Sequence, residues 1–305
     1  MARILFDRSP ADFRTVRGEV IRKLQEGIGL PAEKQDGVYG GDTQSALRDW
    51  QTTNQVEVTG AVDVDTWGGV MNQPVPAVFD RSLQLTAAFE GHGFTKLEGN
   101  FDGAGLTWGI IGFTWSNNQL QGLLRTIRSE APSVYADSFG PLASRLDQLL
   151  AAALPVQMAF ANEITLSPGG AAVRSDWKEA FARLGLAPEV QDIQMRAIKP
   201  AWDTASEYFQ RYGLTSELSM ALCFDIAVQI GVKPRADAAI REAMDANPTE
   251  KELRETIANA VAETAKAAYV EDVRTRKLTF ARGQGEVHGD SYRLDLWGLG
   301  EFPVE

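Results

Sequence analysis

The chain has 305 residues, 44% of them hydrophobic and 23% charged, ordinary values for a globular protein that can bury a sizeable core in one large or two unequal domains. Its formal net charge is −11, and acidic residues outnumber basic ones both before and after Val75. That balance excludes nucleic acid as the default partner, because phosphate binding draws on clustered Lys and Arg, and it permits a neutral or cationic polymer.

The N-terminus, M-A-R-I-L-F-D-R-S-P-A-D, lacks the apolar stretch of a signal peptide, so synthesis in the cytoplasm is expected. From Pro10 to Asn72 the pattern predicts three short helices. Val16, Val20, Ile21, Leu24 and Ile28 repeat at helical spacing. After the D-G-V-Y-G loop from Asp36, Asp42 or Thr43 can cap a second helix carrying Ala46, Leu47 and Trp50. Asp63 can cap a third, ending near Met71. Leu24, Leu47, Trp50, Val62 and Trp67 make a minimal core with little room for a catalytic pocket, so this segment reads as a binding module. The stretch N-Q-P-V-P-A-V-F-D, from Asn72, is the linker, since its prolines favour extended backbone. The boundary falls near residue 76, giving domains 1–75 and 76–305.

Beyond the linker, the helix-compatible run from Ser82 ends at Glu90. A glycine-rich stretch follows as far as Trp115. It carries His92, Glu98 and Asp102, then the β-type run L-T-W-G-I-I-G-F-T-W. Further helices are expected around Leu120–Ile127, Leu142–Leu154 and Ala171–Leu184, and from Pro188 to Tyr212 with an interruption at Pro200. A nearly all-apolar helix from Ser216 to Ile230 reads as the central buried one. A long helix is expected from Pro248 to about Arg276, before a glycine-rich tail that turns back. The single cysteine, Cys223, lies in the apolar helix and reads as core. No run of about 18 apolar residues occurs, so no membrane insertion is expected. Two distant histidines and one cysteine make no zinc site, and neither a metal nor an organic cofactor is called for.

Two carboxylates are the equipment of glycosidic hydrolysis. One is a protonated acid for the leaving oxygen, and the other activates water or attacks the sugar. Glu90 follows Leu85, Ala87, Ala88 and Phe89, an apolar setting that keeps an acid protonated. Asp102 stands in a D-G-A-G turn that suits an exposed base. Thr107, five residues on, can orient the attacking water. Glu98 is the rival second carboxylate. His92 is a weak substrate contact, and a structural hydrogen bond is expected for His288. Asp225, in the apolar helix, needs a buried partner. Arg274, Arg276 and Arg282 are the candidates, and the pair is expected to support the Asp102 strand.

Two resemblances organise these residues. L-Q at Leu24, D-G-x-Y-G-x-x-T-x-x-A-L-x-x-W-Q from Asp36 to Gln51, and T-G-x-V-D-x-x-T-W from Thr59 to Trp67 resemble the peptidoglycan-binding module of bacterial and phage cell-wall hydrolases. Tyr39, Asp42 and Gln51 are its weak candidate contacts. E-G at Glu90 and D-G-A-G-L-T-W-G-I-I-G-F from Asp102 resemble the active-site segment of the lysozyme superfamily, closest to the inverting chitosanases of glycoside hydrolase family 46. F-D-I-A-V-Q-I-G from Phe224 and the arginine-bearing segment Arg274–Gly289 extend the likeness. It implies Glu90 as general acid, Asp102 as general base and Thr107 as the water-holding residue. Ala104 stands where the family motif has arginine, and the loop before Asp102 is shorter than the family's.

The expected fold class is mainly α, with a small three-helix wall-binding domain and a lysozyme-like α+β domain containing one short β-hairpin segment. The expected function is that of a monomeric, inverting muramidase. It would cut the β-1,4 glycosidic bond of bacterial peptidoglycan after holin-type release, as a phage endolysin does, or after injection. A chitosanase and a non-catalytic wall-binding protein are the alternatives.

Overall fold

The computed structural model describes residues 3–90 and 93–304. The chain divides into two compact units, one running to Phe89 and resuming at Ala201, the other Glu90–Pro200. The boundary expected near residue 76 lies inside the first of these.

The first unit begins with strand β1 (Ile4–Phe6), helices α1 (Glu19–Gly27) and α2 (Gly41–Thr53), strand β2 (Val62–Asp63) and helix α3 (Val64–Met71). The helices bury Ile21, Leu24, Leu47 and Trp67, and β2 buries Val62, whereas Trp50, expected in the same core, is only half-buried, as are Val20 and Ile28. Asp63 caps α3 by accepting the Thr66 N–H at 2.7 Å, which satisfies a donor that the helix leaves orphaned. The cap expected for α2 is absent. That helix starts at Gly41 without a side-chain cap, and buried Thr43 instead accepts from Gln25 Nε2 at 2.9 Å. Strand β1 pairs antiparallel with β2, Ile4 opposite Asp63 and Phe6 opposite Val62. It has only three residues, too few for an alternating pattern to be read. After the linker comes α4 (Val78–Glu90). Its residues from Arg81 to Ala87 are all buried.

In the second unit β3 (Leu97–Glu98), β4 (Thr107–Trp108) and β5 (Phe113–Thr114) form one antiparallel sheet. Helices α5 (Gln119–Glu130), α6 (Pro132–Phe139), α7 (Ala143–Ala151), α8 (Leu154–Ile164) and α9 (Ser175–Leu186) follow. The single helix expected over Leu142–Leu154 is divided, because Ala152 and Ala153 are extended and the proline at 155 favours a helix start over a helix interior. Aromatic packing makes the core. Phe160 stands edge-on to Trp177 at 4.9 Å, Phe139 to Phe181 at 5.1 Å, and Trp108 of β4 to Phe181 of α9 at 5.3 Å. Helix α10 (Pro188–Arg211) runs through Pro200 without the expected interruption.

The first unit, resumed at Ala201 within α10, continues with α11 (Glu217–Gln229), buried from Glu217 to Ile226 with Cys223 inside it. Then come α12 (Pro234–Met244), α13 (Glu250–Ala262), α14 (Val270–Arg282) and the hairpin β6 (Gln284–Val287) and β7 (Asp290–Arg293). The long helix expected from Pro248 is thus two helices. Thr249 and Glu252 close a capping box at the start of α13, and residues 263–269 turn the chain before α14. The tail does turn back. His288 and Gly289 both take positive φ, 54° and 84°, the backbone that a two-residue hairpin turn needs. The described residues therefore hold three small antiparallel sheets where one hairpin segment was expected.

Candidate active site

Helix α4 ends at Glu90. The Glu90 side chain and His92 lie outside the described residues.

In the sheet Leu97 stands opposite Trp108 and Glu98 opposite Thr107; Thr107 faces Thr114 on the other side and Trp108 faces Phe113. Because side chains alternate across a strand, one face carries Leu97, Trp108 and Phe113, all buried. The other carries Glu98, Thr107 and Thr114. Thr107 is 7% exposed, and its hydroxyl makes no hydrogen bond among the described residues. Glu98, its cross-strand neighbour, pairs with Lys96 Nζ at 2.8 Å. Glu98 is thus engaged beside Thr107, nearer the candidate chemistry than a solvent-facing residue would be.

Asp102 lies exposed in the turn between β3 and β4, where its Oδ1 accepts the Ala104 N–H at 2.9 Å. The turn is pinned from several sides. Gly99 N–H donates to Ala171 O at 2.9 Å, and Asn100 N–H to Thr165 Oγ1 at 3.0 Å. Asn100 Nδ2 donates to Asn162 Oδ1 at 2.7 Å, and Asn100 Oδ1 accepts the Gly105 N–H at 2.8 Å. At the far end of β4, Gln194 of α10 accepts the Ile110 N–H at 3.0 Å and donates to Phe94 O at 3.1 Å. Gly109 is required there: its φ is +88°, and a Cβ would strike Gln194 Oε1.

The framework behind α4 is ionic. Asp225 of α11 is fully buried. It accepts from Arg276 Nη2 at 2.6 Å and Nε at 3.0 Å, from Lys277 Nζ, and from Thr86 Oγ1 of α4 at 3.2 Å. Of the expected partners only Arg276 takes this place. Arg274 pairs with Glu263 and Glu271, and Arg282 with Glu255, because one helical face cannot turn all three arginines inward. Lys277, adjacent to Arg276, was not anticipated. The expected support of the Asp102 strand is replaced by support of α4, the helix that ends in Glu90. Burial pushes the Asp225 carboxyl up, but the two cations and their hydrogen bonds outweigh it and hold it at about 2. Phe89 closes the same framework, with its ring 4.6 Å from Tyr292 and 5.2 Å from Phe280.

The contacts expected in the N-terminal module are reassigned. Tyr39 is fully buried and donates to Gly60 O at 3.0 Å. Gln51 is fully buried, accepts the Gly60 N–H at 2.8 Å and donates to Ala61 O at 3.0 Å. Both build the turn at Gly60 and have no polar atom left for a ligand. Asp42 stays exposed, beside Lys34 at 3.0 Å. His288 Nε2 lies 3.1 Å from Asp272 Oδ1, the structural partner expected for it. Among the described residues no group of His, Cys, Asp and Glu is arranged to hold a metal, and no helix is long and apolar enough to cross a membrane.

Comparison with known proteins adds two findings. Residues 19–68 match the family described as "putative peptidoglycan binding domain". No curated protein matches the sequence. Among solved structures the chain is similar to native chitosanase from Bacillus subtilis MY002, with 16% identity and a TM-score of 0.50 over 76% of this chain and 99% of that one. It is also similar to a family 46 chitosanase from Gynuella sunshinyii in complex with chitotetraose, with 15% identity and a TM-score of 0.49 over 72% and 98%. At such identity the B. subtilis likeness is one of fold. The chain is therefore modular: a segment matching peptidoglycan-binding domains is joined to a fold shared with a chitosanase.

Proposed function

We propose that this chain is a glycoside hydrolase that cuts the β-1,4 bond between N-acetylmuramic acid and N-acetylglucosamine in bacterial peptidoglycan. Glu90 donates a proton to the leaving oxygen. Asp102 takes the proton of a water that Thr107 holds through its hydroxyl, and the water attacks the opposite face of the sugar, inverting the anomeric centre. The reading is supported by an exposed Asp102 in the turn that leads into β4 and, on β4, a buried Thr107 whose hydroxyl has no hydrogen-bond partner among the described residues. Residues 1–75 hold the polymer, with Asp42 as the remaining exposed contact, and residues 76–305 cut it. Holding raises the local concentration of the cleavage site along the glycan. The protein acts as a monomer on the wall itself, reached after holin-type release or injection.

Mass spectrometry of digested, purified peptidoglycan tests this directly. Muropeptides with a reducing N-acetylmuramic acid end are expected, formed with inverted anomeric configuration. Glu90→Gln and Asp102→Asn should each lower the rate by roughly 10²–10⁴-fold, the usual worth of a general acid or base. Clearing by Glu90→Gln at the wild-type rate would remove Glu90 from the role of acid, and no glycan cleavage by the wild type would leave a wall-binding protein. A second reading, chitosan as substrate, draws on the chitosanase-like fold and on the acidic chain, which suits a cationic polymer. Faster release of reducing ends from chitosan than from peptidoglycan would decide for it.

A further inference from the structure

Phe101 immediately precedes Asp102, and it is 45% exposed. An exposed aromatic ring next to the candidate base can offer its face to a sugar ring. The turn beneath it does not drift. Gly99 and Asn100 are tied by hydrogen bonds to residues 162–171, Gly105 N–H donates to Asn100 Oδ1 across the turn, and Phe101 N–H itself donates to Gly99 O at 2.9 Å. The ring is therefore presented on a fixed frame. The turn is open at Gly103, where no atom of the described residues comes within 4 Å of the place a Cβ would take. A second apolar side chain, Leu166, is 65% exposed. It follows Thr165, whose hydroxyl accepts the Asn100 N–H.

The turn itself offers little negative charge to a cationic sugar. Lys96 and Glu98 are paired with each other, and Asp102 is the one ionisable residue between Gly99 and Thr107. Protonated glucosamine needs carboxylates to balance its ammonium groups. An N-acetylated ring instead offers an apolar C–H face and a methyl group, both complementary to an exposed aromatic ring.

We propose that Phe101 is a specificity-determining residue that stacks on an N-acetylated hexosamine ring beside Asp102 and selects acetylated β-1,4 glycans over deacetylated ones. The proposal rests on the glycoside hydrolase reading for its substrate class, but its test does not need turnover. Binding of N-acetylglucosamine hexamer and of glucosamine hexamer is measured by calorimetry on the full chain carrying Glu90→Gln, with Phe101, Phe101→Ala or Phe101→Trp. Phe101→Ala is expected to weaken the acetylated oligomer on the order of tenfold, to leave the deacetylated one unchanged, and to melt at the parent temperature. Phe101→Trp keeps the affinity. In the active chain Phe101→Ala raises KM with kcat nearly unchanged. Equal affinity for the acetylated oligomer with and without the ring, equal losses on both oligomers, or binding of neither overturns the proposal. Acetylated-oligomer binding that depends on Phe101, in a protein whose wild type releases no reducing ends, sustains this inference and removes the hydrolase reading instead.

Discussion

Asp225 shows how one buried residue ties the acid stability of the molecule to helix α4. Its carboxylate is held by Arg276 and Lys277 and accepts from Thr86 on the helix that ends in Glu90. Asp225→Ala removes the carboxylate that buried Arg276 and Lys277 share. A loss of about 3–5 kcal/mol is expected, the usual cost of breaking a buried pair from one side, and urea melts at neutral pH measure it. Unchanged melting would sink the assignment. The pH dependence has a definite sign. Asp225 is depressed from 3.8 to about 2. Glu250 is depressed from 4.5 to about 2: burial raises it, but donors from Ser219, Thr215 and Ser216 outweigh that. A depressed carboxylate adds stability above its unfolded pKa and loses it as pH falls toward the folded value. Stability should therefore be flat above roughly pH 5 and fall between about 4.5 and 2, less steeply in Asp225→Asn. That Asp225 needed a cation was legible from its place in an apolar helix. Which cation was not, because Arg274, Arg276, Lys277 and Arg282 differ only in which way α14 turns them.

At the scale of elements, the site depends on the short strand β4 and on glycines that let its neighbours come close. Gly109 combines φ +88° with a would-be Cβ directly on Gln194 Oε1. That oxygen accepts the Ile110 N–H, and the same amide donates to Phe94 O. Gly109→Ala forces a left-handed residue and displaces the Gln194 bridge between Phe94, before β3, and Ile110, after β4. A loss of about 2–4 kcal/mol is expected from strain together with an orphaned buried amide, measured by denaturant unfolding, with lowered glycan cleavage. The strand was visible in the sequence as an apolar run after a glycine-rich turn. Its register was not, and register is what sets Glu98 opposite Thr107. Helix ends were the least legible feature. The breaks at Ala152–Ala153 and at residues 263–269 fall in alanine-rich sequence with strong helical propensity, so tertiary packing decides them.

At the scale of the molecule, the N-terminal segment is built into the first unit. Arg3 and Arg81 both grip buried Glu217 of α11, at 2.6 and 2.8 Å. Arg14 N–H donates to Ser291 O at 2.7 Å, and its guanidinium lies 3.2 Å from Asp290. Leu5 and Phe6 are fully buried. A module hanging on a flexible linker could be removed without cost to the remainder. Here deletion of residues 1–75 strips the cover from buried apolar surface and takes one cation from Glu217. Leu5 and Phe6 alone are worth at least about 3 kcal/mol. The shortened chain is expected to melt at least about 6 °C lower or to aggregate, as calorimetry or differential scanning fluorimetry would report. An unchanged melting temperature would return the module to the role of a tethered accessory.

By itself the sequence determined the local and chemical features of this protein. Helical periodicity marked the three-helix segment and its core, an apolar run marked the central helix, and D-G-A-G with a threonine five residues on marked the candidate chemistry. These patterns are written in neighbouring residues, where spacing alone reports them. Only the tertiary structure decided what depends on distant residues meeting. It sealed Tyr39 and Gln51 inside the turn at Gly60, chose Arg276 and Lys277 for Asp225, and aimed that ion pair at the glutamate helix. It also bound β1 against a strand nearly sixty residues later. Burial and pairing are properties of the closed chain, and no local spacing encodes which side chain a partner far along the sequence will reach.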